Sequence, residues 1–218
     1  MSDDQIIQKA IDEIEQKTWG VTQQFLDIHQ VVYMGNKPKI ERVDLDKSDG
    51  TATVYFQIKD EKFYLAIYVS TGSDSVVTGI YIEPYISVCF SAVSETIELE
   101  TLSKMTTLVP TSVWRKGDAK QGGGNLLHKN NQIRFEPNPG PDEFEDKISK
   151  LLDLLETDKS GVKELVKKAG GYIQVAMEFH SGNTMLGGPK ITKETMKRMA
   201  ALNLEIDFDI YVGGKSYK

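Results

Sequence analysis

Cysteine is almost absent: Cys89 is the only one among 218 residues, so no disulfide can form within the chain and stability must come from packing. A single thiol also fits a reducing compartment. Histidine is nearly as scarce, and His29, His128 and His180 lie far apart without metal-ligand spacing to one another or to Cys89. No metal site is expected. The sequence contains no Gly-x-Ser-x-Gly elbow and no His-Glu-x-x-His, so it offers no catalytic residue by motif. Positive charge is in deficit, with 26 Lys and Arg against 32 Asp and Glu, a net charge of -6 and a pI near 5.2. That balance argues against phosphate-backbone binding as the main activity, so no nucleic acid is expected, and it favours basic partners. No apolar run reaches membrane-spanning length, and the opening "MSDDQIIQKAIDEIEQK" lacks a basic region followed by an apolar one. The chain reads as cytoplasmic, with no membrane partner.

Two glycine-rich stretches fail as phosphate loops. "GGKS" at 213 to 216 has Asp209 where the first glycine of the motif should fall, and no helix follows it. "GGG" at 122 to 124 lacks the spacing of a dinucleotide fingerprint and reads as a mobile loop. No cofactor is expected.

With 39% hydrophobic and 27% charged residues the chain can bury a core. The pattern predicts an α+β fold in two domains, 1–84 and 85–218, forming one compact body. In the first, Ser2 and Gln5 form a capping box ahead of a helix whose Ile6, Ile7, Ala10, Ile11 and Ile14 share one face. Period-two runs from about Lys39 to Phe90, with turns at 47 to 50, 59 to 62 and 71 to 75, predict an antiparallel meander covered by that helix. In the second, the strand "YISVCFSAV" precedes a helix capped by Ser94. An amphipathic helix carries Phe144, Ile148, Leu151, Leu152 and Leu155, with Glu143–Lys147 and Asp146–Lys150 pairs on its solvated face. A shorter helix at about 160 to 168 ends at Gly170 and Gly171, and the strand "YIQVAMEFH", a helix capped by Thr192 and a final strand complete the chain.

Two surfaces carry candidate binding residues. In "TSVWRKGD" (111 to 118), an exposed Trp114 beside Arg115, Lys116 and Asp118 would anchor an interface; alternatively Trp114 roofs the core edge while Gly117 and Asp118 turn the chain. The final strand puts Glu205, Asp207 and Asp209 opposite Leu204, Ile206, Phe208 and Ile210. "YIQVAMEFH" likewise puts Glu178 and His180 opposite its apolar face, so pairing of these strands would give an acidic sheet face. A solvated face is the default reading; the sharper ones are a docking surface for a basic partner or a divalent-metal or acid/base site. Cys89, between Val88 and Phe90, reads as an inert core thiol.

Ile97 in "SETIELETL", "PTSVWRKGD" at 110 to 118, "KITKETMKRMAALNLEIDFDIY" at 190 to 211 and the amphipathic helix between them resemble a bacterial family, domain of unknown function 4279. The resemblance covers about residues 86 to 212 and not the N-terminal half. "GGGNLLHKNN" departs from the family pattern, in which an aromatic precedes the next strand. The resemblance implies fold class and bacterial origin; it carries no catalytic residues over.

The leading functional expectation is a non-enzymatic protein-interaction module, in its sharpest form an immunity protein that masks a basic toxin. The competing one is a small-ligand binder or enzyme with a cleft between the domains, in which Trp114, Arg115, Asp118 and His180 or Asp209 converge. A structural domain of a larger assembly is a third. The sequence fixes no oligomeric state.

Overall fold

A computed structural model describes residues 2–45, 50–72, 76–122, 124–183 and 186–217. The turns expected at 47 to 50 and 71 to 75 lie largely outside the described residues, as does Gly123 of the glycine run. The fold is α+β. It resolves into two compact units: one of Met1–Tyr85 with Met177–Gly187 and Ile210–Lys218, the other of Ile86–Ala176 with Gly188–Asp209. The short stretches 177–187 and 210–218, which the sequence division assigned to the C-terminal domain, cluster with the N-terminal one.

In the first unit, α1 (Asp3–Gln16) starts where Ser2 N–H donates to Gln5 Oε1 at 3.2 Å, one arm of the expected capping box. Its stop is Lys17, which takes a left-handed conformation at φ 50°. Glu13 is buried, yet accepts from Trp19 N–H at 3.1 Å and from the Thr22 hydroxyl at 2.5 Å, so its carboxylate ties α1 to α2 (Gly20–Leu26). A buried charge is tolerable when donors satisfy it in this way. A small hairpin of β1 (Tyr33–Met34) and β2 (Lys37–Pro38) follows. Then β3 (Ile40–Asp44), β4 (Thr51–Gln57), β5 (Tyr64–Ser70) and β6 (Val77–Glu83) form a four-stranded antiparallel meander in that order. Ile6, Ala10, Ile11 and Ile14 of α1 share a core with Val54, Phe56, Leu65 and Ile67 on one sheet face. At about 1.5–3 kcal/mol per large apolar side chain buried, this stripe holds α1 in place more firmly than helix propensity does.

The second unit is built on β7 (Tyr85–Ser94), α3 (Leu99–Lys104), β8 (Ser112–Trp114), β9 (Asn131–Phe135) and α4 (Phe144–Leu155). A 3-10 turn at Glu156–Asp158 leads to α5 (Lys159–Ala169), β10 (Tyr172–His180), α6 (Lys193–Ala201) and β11 (Ile206–Gly213), the ends of β10 from Met177 and of β11 from Ile210 counting with the first unit. The sheet order is β11-β10-β7-β9-β8, so β11 and β8 are its edges. Hydrogen bonds from Ile173 N–H to Glu205 O (2.9 Å) and from Ser181 N–H to Gly213 O (2.7 Å) advance together along both strands, so β10 and β11 run parallel, joined through α6.

Three local expectations are corrected. The helix expected from Ser94 begins at Leu99, and the Ser94 hydroxyl instead accepts from Ile97 N–H at 3.0 Å in the turn before it. Lys147, expected on the solvated face of α4, is 1% exposed because its ammonium donates to Asn138 O at 2.7 Å and to Gly140 O. Lys150 pairs with Asp142 at 2.9 Å rather than with Asp146.

Candidate functional site

In "TSVWRKGD" the backbone is extended only over β8, whose Trp114 lies opposite Gln132 of β9. Alternation then sends Val113 out, where it is 48% exposed, and leaves Trp114 half-buried against His128, ring centroids 6.1 Å apart. The chain turns immediately afterwards: Asp118 N–H donates to Arg115 O at 3.1 Å, and Gly117, at φ 93°, donates to His128 O at 2.8 Å. Beyond it Lys120 N–H donates to Leu126 O at 2.8 Å; the glycine run expected as a mobile loop includes Gly123, outside the described residues. Arg115 forks onto Glu100, with a 3.2 Å bond to Oε2, and this pairing lowers the Glu100 carboxyl below its ordinary range and raises Arg115. The Lys116 ammonium donates to Glu95 O at 3.0 Å. Trp114 therefore stands at a sheet edge while both cations beside it are engaged within the fold.

At the other edge, alternation along β11 operates only in part. Asp207 is exposed, whereas Asp209 is half-buried and accepts from Gln174 Nε2 at 3.0 Å. Glu205, just before the strand, is exposed, and among the described residues neither it nor Asp207 makes an ion pair. Ile210, expected on the core face, is 56% exposed, while Leu204 just before the strand is buried and Ile206 and Phe208 are half-buried. Between the edges, Ser87, Cys89 and Ser91 of β7 are roofed by longer side chains of β9. Arg134 donates to Ser87 Oγ at 2.7 Å and pairs with Glu136 at 2.9 Å, and Gln132 donates to Ser91 Oγ at 3.2 Å. Burial raises the Cys89 thiol pKa, so it stays protonated and inert, as its apolar flanks suggested.

All four arginines, Arg42, Arg115, Arg134 and Arg198, are ion-paired within the fold: Arg42 with Asp44 at 3.4 Å, Arg198 with Asp153 at 2.6 Å and Glu156 at 2.8 Å, the other two as above. No guanidinium is left over to fork onto an external carboxylate or phosphate. Trp114 and Asp209 occupy opposite edges of a five-stranded sheet, about 19 Å apart at the usual interstrand spacing, so they do not converge on one pocket.

In the first unit, Glu178 pairs with Lys62 at 3.2 Å. His180, expected beside it on the polar face, is fully buried: alternation breaks at the end of β10, where Phe179 and His180 are both inside. Its partner is His29, which sequence reasoning passed over; the Nε2 atoms are 2.9 Å apart. Phe25, Phe63 and Tyr217 surround the pair. No local signal links two histidines so far apart in the chain. Among the described residues no three His, Cys, Asp or Glu side chains cluster to hold a metal ion, and no helix is long and apolar enough to cross a membrane.

The architecture is thus an α+β chain whose C-terminal sheet is read at its edges. Residues 83–213 match the family Domain of unknown function (DUF4279), and the chain belongs to that family. Comparison with curated proteins and with solved structures gave no match.

Proposed function

We propose that this protein works by binding another protein in the cytoplasm rather than by catalysis, and that the partner presents a basic surface, as a toxin masked by its immunity protein would. The observation that carries this reading is the unbalanced charge at the acidic edge: Glu205 and Asp207 are exposed without a counter-ion among the described residues, while every arginine is neutralised internally. Uncompensated charge of one sign on an exposed sheet edge steers partners of the opposite sign and disfavours like-charged ones. An edge strand also offers unpaired backbone groups to an incoming chain. The ligand-cleft alternative has less support, since Trp114 and Asp209 do not share a pocket.

The test is affinity capture at low salt with the wild-type chain and with a Glu205→Lys/Asp207→Lys double variant. A basic protein retained by the wild type and released by the variant is the expected result. Capture of no basic protein, or equal capture by both forms, overturns the reading.

A further inference from the structure

The buried histidines of the first unit have a hydrogen-bond pattern that fixes the His180 tautomer. Gly182 N–H donates to His180 Nδ1 at 3.0 Å, so that nitrogen carries no proton. The same ring's Nε2 lies 2.9 Å from the Lys215 carbonyl, which can only accept, so Nε2 carries the proton. Both contacts demand the same neutral tautomer. That Nε2 also lies 2.9 Å from His29 Nε2, which must then accept, leaving the His29 proton on Nδ1, 3.7 Å from Glu61 Oε1. Two neutral rings of this tautomer suit these bonds, whereas a protonated His29 would have to share the Lys215 carbonyl, its backbone acceptor, with His180.

A proton added to His29 Nε2 sets two N–H donors 2.9 Å apart, with the Lys215 carbonyl as their shared acceptor. A proton added to His180 Nδ1 turns it into a donor facing Gly182 N–H across 3.0 Å. Either event parts groups that hold residues 213–217. The Lys215 carbonyl is bonded to His180, the Tyr217 ring rests on the His180 ring at 5.1 Å, and Ser181 N–H to Gly213 O at 2.7 Å is the final rung between β10 and β11. The fit is close: a Cβ on Gly182 would stand 2.2 Å from the Tyr217 ring, and one on Gly214, at φ 82°, 2.7 Å from Phe63.

From this geometry we infer that the His29–His180 pair is an acid-operated latch: when either ring takes a proton, residues 213–217 detach while the rest of the first unit stays folded. Other charged groups face the site. Glu61, itself raised in pKa by burial and by Glu178, offers His29 a weak counter-ion from the β4–β5 loop; Asp60 stands beside it, Lys62 is tied to Glu178, His180 and the Lys215 ammonium oppose a charge on His29, and the Lys215 carbonyl favours one. Burial dominates and holds His29 near 4 and His180 below its ordinary value. Folded-state pKa values below the unfolded 6.5 mean that the closed latch is fully stable above about 6.5 and weakens as the pH falls toward 4.

The experiment uses the full chain. Nitrogen-15 NMR of the rings at pH 7.5 should show His180 protonated on Nε2 and His29 on Nδ1; a charged ring or the reverse tautomers overturn the proposal. Hydrogen exchange, corrected for the intrinsic pH dependence, should show the opening of Gly182 and residues 213–217 rising up to about tenfold per pH unit between 6.5 and 4.5, with α1 and β4 to β6 still protected. Constant protection of the tail, or its loss together with the meander, overturns the latch. His29→Phe, which fills the same aromatic cluster, should reduce that slope; an unchanged slope removes His29 as trigger. If that variant does not fold, the wild-type tautomers and slope decide.

Discussion

Lys147 shows how much one side chain can do when it is aimed inward. Its (CH2)4 stem runs along the buried face of α4, and its ammonium closes the Asn138–Gly140 turn by donating to two backbone carbonyls. Lys147→Met keeps the stem and removes the donors, leaving those carbonyls poorly satisfied, and should cost about 1–3 kcal/mol. Urea denaturation should show a lower midpoint with an unchanged slope. Gly214 is the opposite case, a residue important for what it lacks. Gly214→Ala places a Cβ against Phe63 at a φ of 82°, and the left-handed strain alone should cost about 1 kcal/mol before any clash. For His29, a pKa near 4 against 6.5 in the unfolded chain sets a ceiling of about 3 kcal/mol on the stability lost as pH falls from 6.5 to 4. If the latch opens first, the open form takes the proton and the global loss stays below that ceiling, which denaturation at pH 7 and pH 4.5 can measure. None of these roles is written locally. A lysine at a position that helical periodicity calls solvated, or a histidine closing a strand, carries no mark of the partner it meets across the fold.

At the scale of elements the sequence was most readable where a pattern repeats. The apolar face of α1, the period-two runs of β4 and β5, the stripe on α4 and the Thr192 cap of α6, whose hydroxyl accepts from Thr195 N–H at 3.1 Å, all appear where periodicity and capping chemistry put them. Burial of a repeated stripe is worth more than any single exception, so the pattern survives folding. Where an element is fixed by a distant partner, the pattern is silent. The start of α5 is an example: Asp158 caps it through Gly161 N–H at 3.0 Å and also accepts from Thr107 N–H at 2.7 Å and the Thr106 hydroxyl at 2.8 Å, fastening the chain after α3 to the helix. These donors, Thr107 N–H first, hold the Asp158 carboxyl well below the usual carboxylate range. Its stabilisation is therefore present above pH 4 and is lost only as the pH falls through the lowered value. Asp158→Ala should cost about 2 kcal/mol at pH 7, combining a lost cap with orphaned donors, and Asp158→Asn should recover part of it by accepting without charge. Chemical denaturation of the three forms decides; equal stability of wild type and alanine variant would show the cap to be idle.

For the whole molecule the governing quantity is where charge is left unspent. A net charge of -6 says only that the surface is acidic; the fold says that the arginines are consumed internally and that part of the excess stands at one sheet edge, at Glu205 and Asp207. The other edge is of different character: Val113 is exposed, Trp114 half-buried, and Arg115 and Lys116 are occupied by Glu100 and Glu95 O. The candidate site was thus half legible. Residue types were readable from composition and alternation, but which edge keeps its charge depends on long-range pairings such as Gln174 with Asp209. The two edges make separable kinetic predictions for a basic partner recovered by capture. Steering by exposed charge acts on the association rate and is screened over about 8–10 Å at physiological salt. Glu205→Lys/Asp207→Lys should slow association about tenfold at low ionic strength, with the two curves converging as salt is raised, while Trp114→Ala leaves the rate of association unchanged. If Trp114→Ala instead speeds dissociation and the double reversal changes nothing, the partner seats on the β8 edge, where apolar contact rather than charge would set the affinity.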